Sequence, residues 1–407
     1  MKRLLLVLML SACGGAASRD RWAGTVDTLP GGTVRVTNPA EGLWGEEDGW
    51  RLVPEVVLGV VEGPAPLVFG VVSGLEVDGR GRIYVLDRQA NELRIFAPDG
   101  GHLRSVGRMG GGPGEYQNAN GLVWLAPDSL LVVDQAGERF SILTGDGDYV
   151  RSVPRRLGFF GWVFSGSYHD GHVYEYASIG DGASLRPALV RIAVAEPPAS
   201  PSPPALTPGD GGVPFLGRDT TFLPEPAGPV YEALSVRTER GATMVGIPWA
   251  PGPVYHVDRH GELWYGHGSE FRIVRLSGST RTVEIVLEAA PDPISQAELA
   301  EWEGSERLRR FREMGGRVDR GSLPTVKPHF SGLYLDPDGY LWVTVPTSPE
   351  GTAFAVFDPE GRYLGRLRVD GAARVGYLPI VVRNDRLYFV ARDGLGVQRV
   401  YGFRIER

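Results

Sequence analysis

The chain repeats itself. Slid along its own length by about 47 residues, one stretch falls on the next without a gap: Leu75 on Leu122, Val85 on Val132, Asp87 on Asp134 and Ile95 on Ile142. Asp99-Gly100 likewise meets Asp146-Gly147, and Arg104-Ser105-Val106 meets Arg151-Ser152-Val153. Turn and core positions agree together, as copies of one structural unit must. The unit is clearest from Ser73 to Tyr116. Leu75 and Val77 alternate as a first strand, a DGRG turn reverses the chain, and Arg82 to Leu86 form a second. Leu93 to Phe96 and Leu103 to Val106 supply two more, with Pro98, Asp99, Gly100 and Gly101 turning between them. Four short strands cannot bury both faces alone, so neighbouring copies must cover them.

Later copies keep a second-strand signature, an aliphatic residue followed by an aromatic one: Ile83-Tyr84, Val173-Tyr174, Leu263-Trp264, Leu341-Trp342 and Leu387-Tyr388, with Leu130-Leu131 in the second copy. The fifth copy holds GLYLDPDGYLWV from Gly332 to Val343 and AVFDPEG from Ala355 to Gly361. The sixth, from Tyr377 to Arg407, has room for about three strands of about 5 residues. Gly63 and Pro66 align backwards on Gly110 and Pro113, which makes Leu52 to Val60 a fourth strand without a blade. The pattern predicts an all-β fold over residues 51–407: a six-bladed β-propeller of four-stranded antiparallel blades, closed by pairing the N-terminal strand with the C-terminal blade. Closure removes exposed sheet edges. A length of 407 would suit two or three domains, yet the repeat runs through nearly all of it, and 57 glycines with 32 prolines supply the turns.

Residues 1–12 stand apart from this pattern. Lys2 and Arg3 precede the apolar run Leu4 to Leu10, and Leu10-Ser11-Ala12 leads into Cys13, the only cysteine. This resembles the bacterial lipoprotein lipobox, which implies cleavage before Cys13 and a lipid on it; an ordinary secretory signal is the alternative. With a single cysteine there is no intrachain disulfide and no cysteine metal site. Residues 13–50 would then be a tether and N-terminal extension, with one strand at Gly32 to Val36 and the acidic passage Glu41 to Gly49 lying outside the ring. Gly14 is not the aspartate that marks inner-membrane retention in many Gram-negative lipoproteins, so the expected location is the cell envelope, lipid-anchored and extracytoplasmic, facing the outer membrane or periplasm. The lipid is the expected membrane contact, since no other run is long and apolar enough to span. A net charge of −7 argues against a nucleic-acid partner, and a monomer is expected.

Two insertions interrupt the repeat. The third copy, starting near Phe159, is broken by the proline-rich Ala195 to Gly212, and strands resume at Glu232 to Arg237 and Ala242 to Ile247. After the fourth copy, Ser295 and Glu298 form a capping-box pattern opening a helical insert over residues 294–315, with Leu299, Trp302, Leu308 and Phe311 at helical spacing and Gly304 as a break. It is either a surface helix packed on the ring or a lid with Arg307, Arg309, Arg310 and Arg312 as a cationic face.

Strands within a blade alternate direction, so the loops between strands two and three emerge on the same face as the links between blades. That face gathers the insertions, and loops on a rigid scaffold are where binding resides. It carries Arg108, Glu115 and Tyr116 on the glycine-rich segment Arg108 to Gly121, and Asp87 and Asp134, which either line a cation site at the channel mouth or close Asx turns on their own backbone. The glycines have no following helix and no Lys-Ser/Thr, as a phosphate-binding loop requires. His256, His260 and His267 fall on different parts of the fourth copy, and His169 with His172 are too few for zinc. No nucleophile elbow and no H-E-x-x-H occurs.

VDGRGRIYVLD at Val77 to Asp87, GGGPGEY at Gly110 to Tyr116, LDPDGYLWV at Leu335 to Val343 and DGLGVQRVYGFRIER at Asp393 to Arg407 resemble the NHL-like six-bladed propellers of bacterial extracytoplasmic proteins. The resemblance implies the fold; similar propellers serve as scaffolds, as peptide or carbohydrate binders, and as metal-dependent lactonases or lyases. The expected function is a membrane-tethered binding or scaffold lipoprotein presenting a propeller face to a protein, peptide or glycan. The alternative is a calcium-dependent, lactonase-like hydrolase or lyase with its site at the channel mouth.

Overall fold

The computed structural model describes residues 22–45, 48–125, 127–155, 164, 166–179, 186–194, 220–223, 231, 233–238, 241–278, 280–347 and 351–407. Cys13 with its preceding segment, the start of the third copy near Phe159 and the proline-rich stretch Ala195 to Gly212 lie outside them. Six blades form a ring. Blade one is Val72–Val77, Ile83–Asp87, Glu92–Phe96 and His102–Val106; blade two is Ala119–Leu125, Ser129–Asp134, Arg139–Thr144 and Tyr149–Pro154. Blade three is Ser167–His169, His172–Ile179, Arg186–Ala193 and Thr220–Phe222. Blade four is Pro253–Val257, Leu263–His267, Arg272–Ser277 and Thr280–Glu288; blade five is Gly332–Leu335, Leu341–Val345, Gly351–Phe357 and Tyr363–Asp370. Blade six has a first strand in two pieces, Ala373–Arg374 and Val381–Arg383, then Arg386–Arg392 and Gln398–Glu406. Its outermost strand is Arg51–Leu58, antiparallel to the C-terminal one with Leu58 opposite Val400 and Arg51 opposite Glu406. The orphan strand closes the ring as its sequence predicts.

Period-two alternation explains the core. Leu75, Val77, Ile83 and Val85 pack against Tyr388, Val390 and Val400 of blade six, while Tyr84, Leu86, Leu93 and Ile95 face Leu122, Leu130 and Val132 of blade two. Each blade is thus buried on both faces by its neighbours, and first strands touch around the inside of the ring.

The aliphatic-aromatic signature has a polar purpose. The turn between strands one and two carries an aspartate whose Oδ1 accepts two backbone amides and whose Oδ2 accepts the aromatic's polar hydrogen. Asp336 binds the amides of Asp338 and Tyr340 at 3.0 and 2.9 Å and Trp342 Nε1 at 3.0 Å. Asp258 does the same with His260, Glu262 and Trp264 Nε1. Asp78 takes Arg80, Arg82 and the Tyr84 hydroxyl. A buried indole or phenol is stabilised by such an acceptor, which accounts for the pair in blades one, four and five; in blade six the Tyr388 hydroxyl is buried without a hydrogen-bond partner among the described residues.

The N-terminal extension clips the outside of blades four and five. Of its hairpin, Thr25–Thr28 and Val34–Pro39, the second strand pairs in parallel with Thr280–Glu288, and the amides of Leu43 and Trp44 donate to the carbonyls of Tyr363 and Leu364. Asn38 joins the two blades, donating to the Val286 and Gly361 carbonyls and accepting from the Tyr363 amide.

Of the insertions, the predicted helix is two helices, Gln296–Gly304 and Glu306–Glu313, with the Ser295/Glu298 capping box in place. Strands Leu234–Thr238 and Gly241–Val245 differ from the expectation that they resume the blade: among the described residues they pair only with each other. Their apolar side is covered instead by Leu308 and Phe311, which bury against Val245. Among the described residues no helix is long and apolar enough to cross a membrane.

Candidate functional site

The residues singled out by sequence lie where the face argument puts them, near the inter-blade links. Asp87 and Asp134 occupy equivalent positions and are 1% and 0% exposed. Asp134 accepts the amides of Gln117, Asn118 and Gly137 and pairs with Arg139 at 3.2 Å; Asp87 accepts those of Gly70, Val71 and Gln89 and pairs with Arg94 at 3.2 Å. Each aspartate ties the turn after its second strand to the preceding link, the Asx-type arrangement, extended to a second loop.

Arg108 and Glu115 bridge each other at 2.6 Å across the glycine-rich segment. The Gly112 amide and the Arg108 guanidinium hold the Glu115 carboxyl below its ordinary range. Tyr116 is fully buried against Leu86, Leu93 and Leu122, and burial pushes its phenol up. Gly107, at φ 98°, is fixed here: a Cβ would stand 2.6 Å from the Tyr116 ring and 2.7 Å from the Asn91 carbonyl. The five residues thus share one end of blades one and two without converging on a point.

A different set of side chains gathers at the opposite end of the channel, by the turns between strands one and two. Three are equivalent by register: Glu76 opposite Tyr84, His256 opposite Trp264 and Tyr334 opposite Trp342, each two residues before its turn aspartate. Alternation turns them away from the aliphatic neighbours that fill the preceding inter-blade seam. Blade six adds Arg383 at the end of its first strand. All four are half-buried.

The geometry links them across four blades. The His256 and Tyr334 rings stand 5.3 Å apart, tilted 53°. The Tyr334 hydroxyl donates to the Val382 carbonyl at 3.4 Å, and Glu76 Oε1 accepts the Trp124 amide at 3.2 Å. Burial lifts the Glu76 carboxyl to about 7 even though the Trp124 amide and the Arg383 guanidinium pull it down. Burial lowers His256 to about 4, so the imidazole is neutral near pH 7. Burial, with the negative charge of Glu76 second, raises the Tyr334 phenol. Desolvation dominates all three.

Such a set can offer a cation, a neutral phenol and imidazole, and a carboxyl poised to hold or release a proton near neutrality. Perturbed titratable groups gathered in one place are marks of function. Among the described residues no three His, Cys, Asp or Glu side chains stand close enough to share a metal ion. Sequence reasoning misses Glu76, Tyr334 and Arg383, and weighs His256 only as a metal ligand with His260 and His267, because it follows repeated letters; for three of the four the available signal was the changing residue before an aliphatic-Asp pair, in Glu76-Val77-Asp78, His256-Val257-Asp258 and Tyr334-Leu335-Asp336.

A family model described as a six-bladed beta-propeller matches residues 67–152, blade one and most of blade two. No curated protein matches the chain. Among solved structures it is similar to a protein from Bacteroides vulgatus, 11% identical with a TM-score of 0.47, covering 88% of this chain and 99% of that one. It is also similar to virginiamycin B lyase from Staphylococcus aureus, at 12% identity and TM-score 0.42 over 88% and 99% of the chains. A third is regucalcin, a calcium-binding protein from Agrobacterium tumefaciens, at 14% and 0.39 over 91% and 96%.

Proposed function

We propose that this protein is a lipid-anchored, extracytoplasmic binding lipoprotein that receives a protein, peptide or glycan on one face of its propeller, with the channel end of Glu76, His256, Tyr334 and Arg383 as the point of recognition. The observation that carries this reading is the convergence of those side chains from four blades while the Arg383 side chain makes no hydrogen bond or close ion pair among the described residues. Polar groups half-buried without partners cost free energy in the free protein, and a ligand that pairs them recovers it. The anchor rests on the Leu10 to Cys13 segment, and the outer-membrane or periplasmic setting rests on Gly14.

Two measurements test the reading. Mass spectrometry of the purified protein gives its N-terminus: a diacylated Cys13 supports the anchor, and an unmodified residue there removes it. Thermal unfolding of the protein with a panel of muropeptides, short peptides and oligosaccharides should find a ligand that raises the midpoint by mass action and loses its effect in Tyr334→Ala. Calcium in the same assay addresses the hydrolase or lyase alternative: a midpoint that climbs with calcium and falls with chelator would favour it over the binder.

A further inference from the structure

The chemistry of the ligand's end group follows from the same side chains, on the premise that the channel end is a binding site. Arg383 presents a guanidinium fork, the donor geometry that matches a carboxylate through two parallel hydrogen bonds. The acidic group coupled to it is Glu76, whose carboxyl burial lifts to about 7. The nearby Asp258, which acts on His256, is engaged by two backbone amides and the Trp264 indole. His256 is neutral, and Tyr334 keeps its proton. Asp336, the carboxylate nearest Tyr334 along the strand, has its oxygens engaged by the Trp342 indole and two amides. From blade two the described contact to Glu76 is the amide of Trp124. Further along the channel Arg374 donates to the Val375, Leu378 and Gly376 carbonyls of its own loop.

The Tyr334 hydroxyl sits at the long end of hydrogen-bond range from Val382, so turning it to a better acceptor costs little. The neutral His256 ring stands beside the Tyr334 ring, 5.3 Å away.

We propose that Arg383 and Tyr334, with Glu76 beside them, form a subsite for the carboxylate group of a ligand. The carboxylate takes the guanidinium fork and the phenol as donors, and the neutral Glu76 carboxyl supplies a third. Once Glu76 ionises it opposes the incoming anion and compensates Arg383 itself. Binding therefore weakens as pH rises through the Glu76 titration. The carboxylate could belong to a peptide C-terminus or to an acidic sugar; the chemistry at the subsite is the same.

The test is calorimetric titration of the full chain in detergent with acetate, with a tripeptide and its C-terminal amide, and with galacturonate and galactose. Acetate and at least one larger acid should bind while the amide and the neutral sugar do not, and which acid binds more tightly identifies the source. Affinity should fall about tenfold from about pH 6 to about pH 8, following the neutral fraction of Glu76. Arg383→Gln should lose at least about tenfold, with its fold checked by circular dichroism. Glu76→Gln, which keeps a donor and loses the charge, should bind and lose the pH dependence. Equal binding of acid and amide, or undiminished binding in a folded Arg383→Gln, overturns the proposal. If the panel above yields a ligand lost in Tyr334→Ala but no carboxylate binds, this inference fails and the binding reading stands; if nothing binds, both fail.

Discussion

The two ends of the propeller treat a buried carboxyl in opposite ways. At the link end, Asp87 and Asp134 each collect several backbone amides and an arginine. At the turn end, Glu76 is also withdrawn from water but has amides too few to hold it ionised, and it titrates near 7. Asp87 and Asp134 are almost wholly buried and Glu76 half-buried; what sets Glu76 apart is how few donors meet it, so that desolvation dominates. A backbone cap is local and repeats with the blade, which is why the aspartates recur at one offset. The turn-end set is assembled once, from four blades.

The largest effect that could break this contrast is at the cap. Asp134→Ala strands several amides and Arg139, and should cost about 3–5 kcal/mol in urea unfolding while leaving a ligand's affinity at the turn end unchanged. A loss of affinity without a loss of stability would reverse the roles of the two ends.

Next in size is the pair of opposed titrations. Glu76 has a raised folded value, so its contribution is present at low pH and lost as pH rises from the ordinary carboxylate range through about 7. His256 has a lowered one, so its contribution is present above the ordinary histidine value and lost as pH falls towards about 4. The slopes oppose one another over much of the weakly acidic range. Glu76→Gln should stabilise the protein by about 2–3 kcal/mol above pH 7 and expose the His256 slope, and His256→Asn should expose the Glu76 slope. Parallel pH profiles in wild type and both variants would show that neither group is desolvated in the fold.

Arg383→Gln should change stability by about 1 kcal/mol or less and move the Glu76 titration upward, since the guanidinium holds it down; NMR of the glutamate side chain reads this directly. The smallest effect is expected at Glu115→Gln, a rim ion pair with Arg108: an unmoved melting temperature is the outcome that leaves the glycine-rich segment as a simple step between blades.

The architecture was legible because its signals are local and repeated. The offset gave blades one and two strand by strand, the Leu52 to Val60 run announced its missing blade, and Ser295 with Glu298 announced the helix. The hairpin of Leu234–Thr238 and Gly241–Val245 was legible as two strands but not as a separate sheet, because its partner surface, Leu308 and Phe311, lies far along the chain. The turn-end set was hidden for a different reason. Three of its members share a register position but not a residue type, Glu76, His256 and Tyr334 in blades one, four and five, and the fourth, Arg383, lies two residues beyond the equivalent position in a strand that is split. Desolvation, which gives them their titration behaviour, is a property of the closed ring and of no single blade.

That closure also orders events in time. Arg51–Leu58 is made before any blade, and its partner Gln398–Glu406 is the last strand of the sixth. During synthesis the earliest strand of the propeller waits longest for its neighbour, and blade one can acquire its full apolar seam only when the final strand arrives. The molecule is in effect a clasp whose two halves are spelled before and after all the other strands of the ring, so that every residue between them has been made before the circle can shut.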